Sequence, residues 1–335
     1  FAGGQFLARR RDQGYLGVEG LMLARTANGL FWMFRYLERA ENTARLLEAG
    51  FRMALIRDVA TAEEEWRSVI EALGLRPAYE ARNGTYTGQQ AWNFILRDDE
   101  NPLSVLRMIE SMRNNARATR TAITSELWTA INTSWMEIRD CLRRPVSQGQ
   151  VRDVLEMIRR AGTMVHGAMA GTLLRDEGYH FARAGTFVER ADNVARTLDM
   201  KYYLLLPSLS YVGTSMDTGQ WDQLLRSVSG DRAFRWLNAG QIDARGIVEF
   251  LVLDARFPRS LAFCHSALRG ELAALARLHH HEGRCDALMR DADTHLGRLT
   301  IDDVFDIGLH EFLTDFMSRN AGIAAAIAED YRFLA

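Results

Sequence analysis

The sequence predicts an all-α protein, a pseudo-symmetric helical bundle from an internal duplication, and three observations carry that reading. Only five prolines occur in 335 residues, so long segments escape the missing N–H and ring clash that end helices. Those segments are rich in Ala, Leu, Arg, Glu and Met, all good helix formers, and strand signals are weak. The chain also repeats itself: "ERAENTARLLE" at 38–48 returns as "ERADNVARTLD" at 189–199, with seven of eleven positions identical and two more exchanging Glu for Asp.

Taken in order, the first element is the helix around residue 38. Met33, Leu37, Ala40, Ala44 and Leu47 form one apolar stripe on it, and Ala184, Val188, Ala191, Ala195 and Leu198 repeat the stripe in the second copy. A second block pairs "WRSVIEALG" from Trp66 with "WDQLLRSVSG" from Trp221, offset 155, matching Val69/Leu224, Ile70/Leu225 and Leu73/Val228. A third pairs "FILRDDENPLS" from Phe94 with "FLVLDARFPRS" from Phe250, offset 156, and keeps Asp98/Asp254, Pro102/Pro258 and Ser104/Ser260. Ser104 and Ser260 are placed to cap helices running through "VLRMIESMRNNARATRTAITSELW" and "LAFCHSALRGELAALARL". The apolar run "VEFLVLDA" at 248–255 fits a strand or a buried helix end equally well.

Three blocks in the same order, with offsets drifting only from 151 to 156, are explained economically by duplication. The halves run roughly 23–145 and 165–335, joined near "RRPVSQGQ" at 143–150, and are expected to pack as one bundle. At 47% apolar the chain can bury a large core. A net charge of −2 and a pI near 6.5 give no electrostatic footprint for nucleic acid or an anionic membrane surface. No apolar run approaches the roughly 18–20 residues a spanning helix needs, and the N-terminal arginines precede no signal-peptide core. Cys141, Cys264 and Cys285 lie far apart with no CxxC pair, so a soluble protein of the reducing cytoplasm is expected.

The candidate site is the repeated charge. Glu38, Glu41, Asn42 and Arg45 fall at i, i+3, i+4 and i+7 on one narrow polar arc, and Glu189, Asp192, Asn193 and Arg196 reproduce it. Exposed i, i+4 pairs of Glu41 with Arg45 and Asp192 with Arg196 are worth only roughly 0.2–0.5 kcal/mol each. The preferred reading sets the arcs face to face, each carboxylate needing an arginine because an unpaired buried charge is costly. Arg39 and Arg190 are expected to point off the arcs. A small-molecule or peptide pocket at the same place is the functional version. A di-metal carboxylate centre is disfavoured, since Glu38-x-x-Glu41 and Glu189-x-x-Asp192 lack a histidine at matching spacing and arginines share the arc.

His279, His280 and His281 before Cys285 point in different directions on a helix and lack a fourth zinc ligand. No metal and no cofactor is therefore expected. Arg113, Arg117 and Arg120 at i, i+4 and i+7 read as partners for Glu38 or Glu126, or as an anion site. The self-contained catalytic signatures GxSxG, Walker A, GxGxxG and HExxH are absent.

"MLARTANGLFWMFRYLERAENTARLLE" from Met22 to Glu48, "ARATRTAITSELWTAIN" from Ala116, "ERADNVARTLD", "FLVLDARFPRS" and "LHEFLTDF" from Leu309 together resemble the bacterial alpha-E family of all-helical proteins. The resemblance spans 22–335 as one alpha-E domain. Phe34 departs from it, standing where the family usually has glycine before Arg-Tyr, while Gly185 keeps that place in the second half. Residues 1–21 fall outside it and are expected to be an extra, disordered segment. Members are typically encoded beside, or fused to, a circularly permuted ATP-grasp protein, often near a transglutaminase-like protein and a proteasome-like peptidase. The resemblance thus implies an accessory or binding module, with an ATP-grasp partner and a peptide in reach, in ATP-dependent formation or processing of peptide or amide bonds. The alternative is an enzyme acting on peptides or amines with the paired Glu/Asp arcs as general acid and base.

Overall fold

The computed structural model describes residues 19–55, 59–204, 215–240 and 242–333. The expected extra segment, 1–21, lies outside them except that the first helix already includes its last residues. Fifteen α-helices and no strand occur among the described residues. In the first part of the chain they are α1 (Glu19–Ala54), α2 (Val59–Ala72), α3 (Arg76–Glu80), α4 (Gly88–Arg97), α5 (Val105–Ala118), α6 (Ser125–Leu142) and α7 (Val151–Thr172). They continue with α8 (Glu177–Leu204), α9 (Ser215–Ser227), α10 (Asp231–Leu237), α11 (Ala244–Val252) and α12 (Leu261–His279). The last three are α13 (Arg284–Leu296), α14 (Ile301–Ile307) and α15 (Leu309–Asp330).

The chain settles the ambiguous "VEFLVLDA" as a helix end, with α11 stopping at Val252. Ser104 and Ser260 do cap α5 and α12, each hydroxyl accepting from the backbone N–H three residues on. The segment expected to run as one helix after Ser104 is two. Thr119 turns its hydroxyl back onto the Asn115 carbonyl, α5 ends, and Thr124 caps a new helix by accepting from Leu127 N–H. β-branched and hydroxyl side chains bunched at 119–125 compete with the helical ladder, and that competition ends the helix.

The long helices α1 and α8 pack along each other and organise the rest. Both apolar stripes are buried as expected, from Met33 to Leu47 and from Ala184 to Leu198. On one side, Leu30, Phe34 and Leu37 join α2 and α4–α7 in a core that includes Tyr79, Trp92 and Met112; α7 adds Val151, Leu155 and Val165 to it. On the other, Phe187 and Val188 join α9 and α11–α15 in a second core with Phe234, Leu251 and Phe316. α1 lies against α5 as α8 lies against α12.

Corresponding turns are hydrogen-bonded alike. Leu75 N–H reaches Ile70 at 3.0 Å and Gly230 N–H reaches Leu225 at 2.7 Å, while Ser104 and Ser260 each donate from N–H to the carbonyl three residues back at 2.9 Å. α1 and α8 approach closely at Gly185, where a β-carbon would sit 2.2 Å from the Phe31 carbonyl oxygen. Only glycine permits that approach, and it brings the two polar arcs together.

Candidate functional site

Two carboxylates are sealed where α1 and α8 meet. Glu38 on α1 is 0% exposed and Glu189 on α8 is 1% exposed. Each is gripped by the arginine that follows its counterpart on the opposite helix. Arg190 forks onto Glu38, Nε to Oε1 at 2.8 Å and Nη2 to Oε2 at 2.9 Å. Arg39 forks onto Glu189, Nε to Oε1 at 2.5 Å and Nη2 to Oε2 at 2.9 Å. This corrects the expectation that Arg39 and Arg190 point away: the arcs do face each other, and a helix neighbour lies within reach of position i+1 as well as i. Bidentate carboxylate–guanidinium pairs are the strong geometry for such burial.

Further donors complete the two sites differently. Arg259, in the turn before α12, bridges Glu38 Oε1 at 2.7 Å and Glu41 Oε1 at 2.8 Å. Arg45 holds Glu41 as expected, Nη2 to Oε1 at 2.7 Å, and donates from Nη1 to the Ser229 hydroxyl at 2.6 Å. His166 on α7 brings Nε2 to 3.4 Å from Glu38 Oε2, and Gly162, one turn earlier, leaves room for the Glu41 carboxylate. At Glu189 the third donor is Arg35, Nε to Oε2 at 2.9 Å, its guanidinium lying 4.4 Å from the Trp32 ring centre. Among the described residues Asp192 is held by Arg196 alone, Nε to Oδ2 at 2.7 Å.

Burial would push the Glu38 carboxyl up, but the Arg190 and Arg259 charges more than offset it and hold the group well below the usual carboxylate range. Burial likewise opposes the Arg190 charge, and Glu38 raises it above its ordinary value. Arg259 is depressed by burial and by Arg190 and Arg45, yet a guanidinium starts so high that it stays charged at neutral pH. Glu38 and its two arginines are therefore held in their charged forms near pH 7.

Glu38, Glu41 and His166 place ligand atoms within 4.8 Å of one another, a spacing that a metal ion could span. Sequence spacing did not show His166, because α7 brings it from far along the chain. The donor set does not suit a cation: Arg259 already sits between the two carboxylates, and a metal would have to displace it. Asn42 is buried on its arc, 7% exposed. Asn193 lines an opening, and its Nδ2 is buried with no partner among the described residues. That opening is a cavity of about 280 Å³ over Glu189, Asp192, Asn193 and Arg196.

The secondary candidates do not converge there. Arg113 donates to Asn132 Oδ1 at 2.8 Å and lies 4.0 Å from the Trp135 ring centre. Arg117 and Glu126 are exposed, and among the described residues none of Arg113, Arg117 and Arg120 forms an ion pair with Glu38 or Glu126. The three histidines also disperse: His279 pairs with Glu177, and His280 takes the left-handed conformation that ends α12. Cys141, Cys264 and Cys285 are free, and burial pushes the Cys264 thiol up to about 12.

An all-α bundle whose two central helices lock each other through reciprocal acid–arginine forks defines a charge-clamped helical protein. The chain belongs to the Alpha-E family, described as a predicted alpha-helical domain with a conserved ER motif, whose profile matches residues 22–332. In this chain the dipeptide Glu-Arg occurs at 38–39 and 189–190 and nowhere else. Those four residues are the crossed pairs. Uncharacterised proteins of Mycobacterium bovis and of two Mycobacterium tuberculosis strains are 24% identical over 332 aligned residues, covering 93% of this chain. The chain spans 36% of the length of those relatives. No solved structure matches the chain. None of the described helices is long and apolar enough to cross a membrane.

Proposed function

We propose that this chain is a non-catalytic binding module that works with a circularly permuted ATP-grasp protein in forming or processing peptide or amide bonds in the bacterial cytoplasm. The observation that carries the non-catalytic part is that all four arc carboxylates are held by arginine: Glu38 by Arg190 and Arg259, Glu41 by Arg45 and Arg259, Glu189 by Arg39 and Arg35, Asp192 by Arg196. A general base must be free to accept a proton near the working pH, and Glu38 is held far from that. The repeated arcs then serve to join two similar halves about a pseudo-twofold axis. That the matched stretch is 36% of each mycobacterial relative suits a module operating alongside other domains.

The test is co-purification of the full chain with the ATP-grasp protein encoded beside it, together with turnover assays on each alone. Binding of the pair, with peptide-bond chemistry confined to the partner, is expected. The enzyme reading draws on the cavity beside Glu189 and Asp192. Turnover of peptides or amines by this chain alone, abolished by Asp192→Asn, would establish it instead.

A further inference from the structure

The Glu38 and Glu189 sites match along their helices and differ in what closes them. Over Glu38, Arg259 fills the space between Glu38 and Glu41, and Ser229 ties down Arg45. Over Glu189, the residue between the shared Pro and Ser is Leu103 in place of Arg259, and Gly74 stands in the register of Ser229. The matching turn hydrogen bonds at Ser104 and Ser260, and at Leu75 and Gly230, fix those registers. Where the guanidinium and the hydroxyl are missing, the cavity of about 280 Å³ opens.

The acceptors that Arg259 uses have counterparts that face this cavity with capacity to spare. Glu38 Oε1 takes Arg190 Nε and Arg259 Nη1; Glu189 Oε1 takes Arg39 Nε and, among the described residues, no second donor. Glu41 is held by two arginines, its counterpart Asp192 by one among the described residues. A carboxylate has about four lone-pair sites, so both can accept more. The charge count limits what may enter. Arg35, Arg39 and Arg196 already outnumber Glu189 and Asp192, so a bare cation would be repelled. A ligand that adds a carboxylate beside Arg196, with its ammonium left in water, sets a counter-charge against that excess, and the Arg196 side chain is 51% exposed.

We propose that this cavity binds an arginine with a free carboxylate, either the amino acid itself or the C-terminal residue of a peptide. The ligand's planar guanidinium takes the place that Arg259 fills in the other half and bridges Glu189 Oε1 to Asp192. Its methylenes lie on Leu103, and its carboxylate meets Arg196. This inference rests on the binding-module reading and names what the module takes.

Calorimetric titration of the full 335-residue chain with free arginine, glycyl-arginine and citrulline tests it. Citrulline keeps the shape and loses the charge. Saturable binding of arginine or of the dipeptide is expected, with citrulline at least about tenfold weaker; binding of the dipeptide alone assigns a peptide source, and binding of both assigns the shared residue. Asp192→Asn weakens binding about tenfold. Leu103→Arg, which supplies the guanidinium from the chain, abolishes binding while circular dichroism stays helical. The proposal is overturned by no saturable binding of either ligand at millimolar concentration, by citrulline binding as well as arginine, or by unchanged binding in folded Leu103→Arg protein. Co-purification with the ATP-grasp partner is scored separately, so retained partner capture without arginine binding removes this inference alone.

Discussion

The Glu38 and Glu189 sites begin from nearly the same eleven residues and end as different objects. Glu38 is enclosed: Arg190, Arg259 and His166 surround it, and Arg190 and Arg259 are only 14% and 12% exposed. Glu189 is equally buried, but its Arg39 partner is 27% exposed and borders a cavity. The lesson is that a helix sequence that occurs twice carries the clamp, while the turns delivered from elsewhere decide whether a clamp is closed over or left open. Arg259 against Leu103 and Ser229 against Gly74 make that decision here.

The comparison breaks first at the buried carboxylates. Glu38→Gln leaves Arg190 without its counter-charge inside the protein and Arg259 with Glu41 alone, and should cost about 3–5 kcal/mol. Glu189→Gln should cost less, because Arg39 can turn toward water. Urea unfolding of the two variants, read as a difference in midpoint at constant slope, measures the asymmetry; equal losses would remove it.

Acid comes next. Glu38 is depressed in the folded state, so its contribution is present above the unfolded carboxylate value and is lost as pH falls through the depressed folded value. His265, stacked 4.5 Å from Phe316, is lowered by burial to about 4 from 6.5. Its neutral form favours folding above the unfolded value, and that stability drains as pH falls from 6.5 through about 4, in all about 3 kcal/mol. Melting temperatures from pH 7 to 4 should therefore drop in the parent protein and drop less in His265→Phe.

The close approach at Gly185 comes third. Gly185→Ala drives a methyl into the Phe31 backbone and should cost about 1–3 kcal/mol. The corresponding position on α1 already carries Phe34, wholly buried and 5.6 Å from the His166 ring, so the helix pair is crossed tightly at one end and filled at the other. The smallest effect is at the caps. Ser260→Ala should lose about 1 kcal/mol of thermal stability and Ser104→Ala somewhat less, since Ser260 caps at 3.0 Å and also donates to the Asp254 carbonyl, whereas Ser104 caps at 3.4 Å.

Much of this was legible in the chain. The apolar stripes, the two serine caps, the recurrent turns and the four carboxylates of the arcs follow from periodicity and internal repetition, which are local properties. The partners of those carboxylates were not. Arg259, His166 and Arg35 arrive from a turn, a distant helix and a neighbouring face, and nothing in their spacing announces it. Arg39 and Arg190 do carry a signal in the sequence: both copies keep them, and a long side chain beside an arc can reach across to the facing helix. The split between α5 and α6 was also readable in principle, from the hydroxyl side chains clustered at 119–125.

Because the forks cross, each half of the molecule carries the counter-ion of the other. A chain cut near residue 147 would give two fragments, one with a carboxylate lacking its main arginine and the other likewise, and neither could close its interior alone. The arrangement acts as a proof of completeness: the hydrophobic halves can form early, but the seam neutralises only when both are present and in register. The same rule permits exchange, since the second half of one copy would satisfy the first half of another as well as its own.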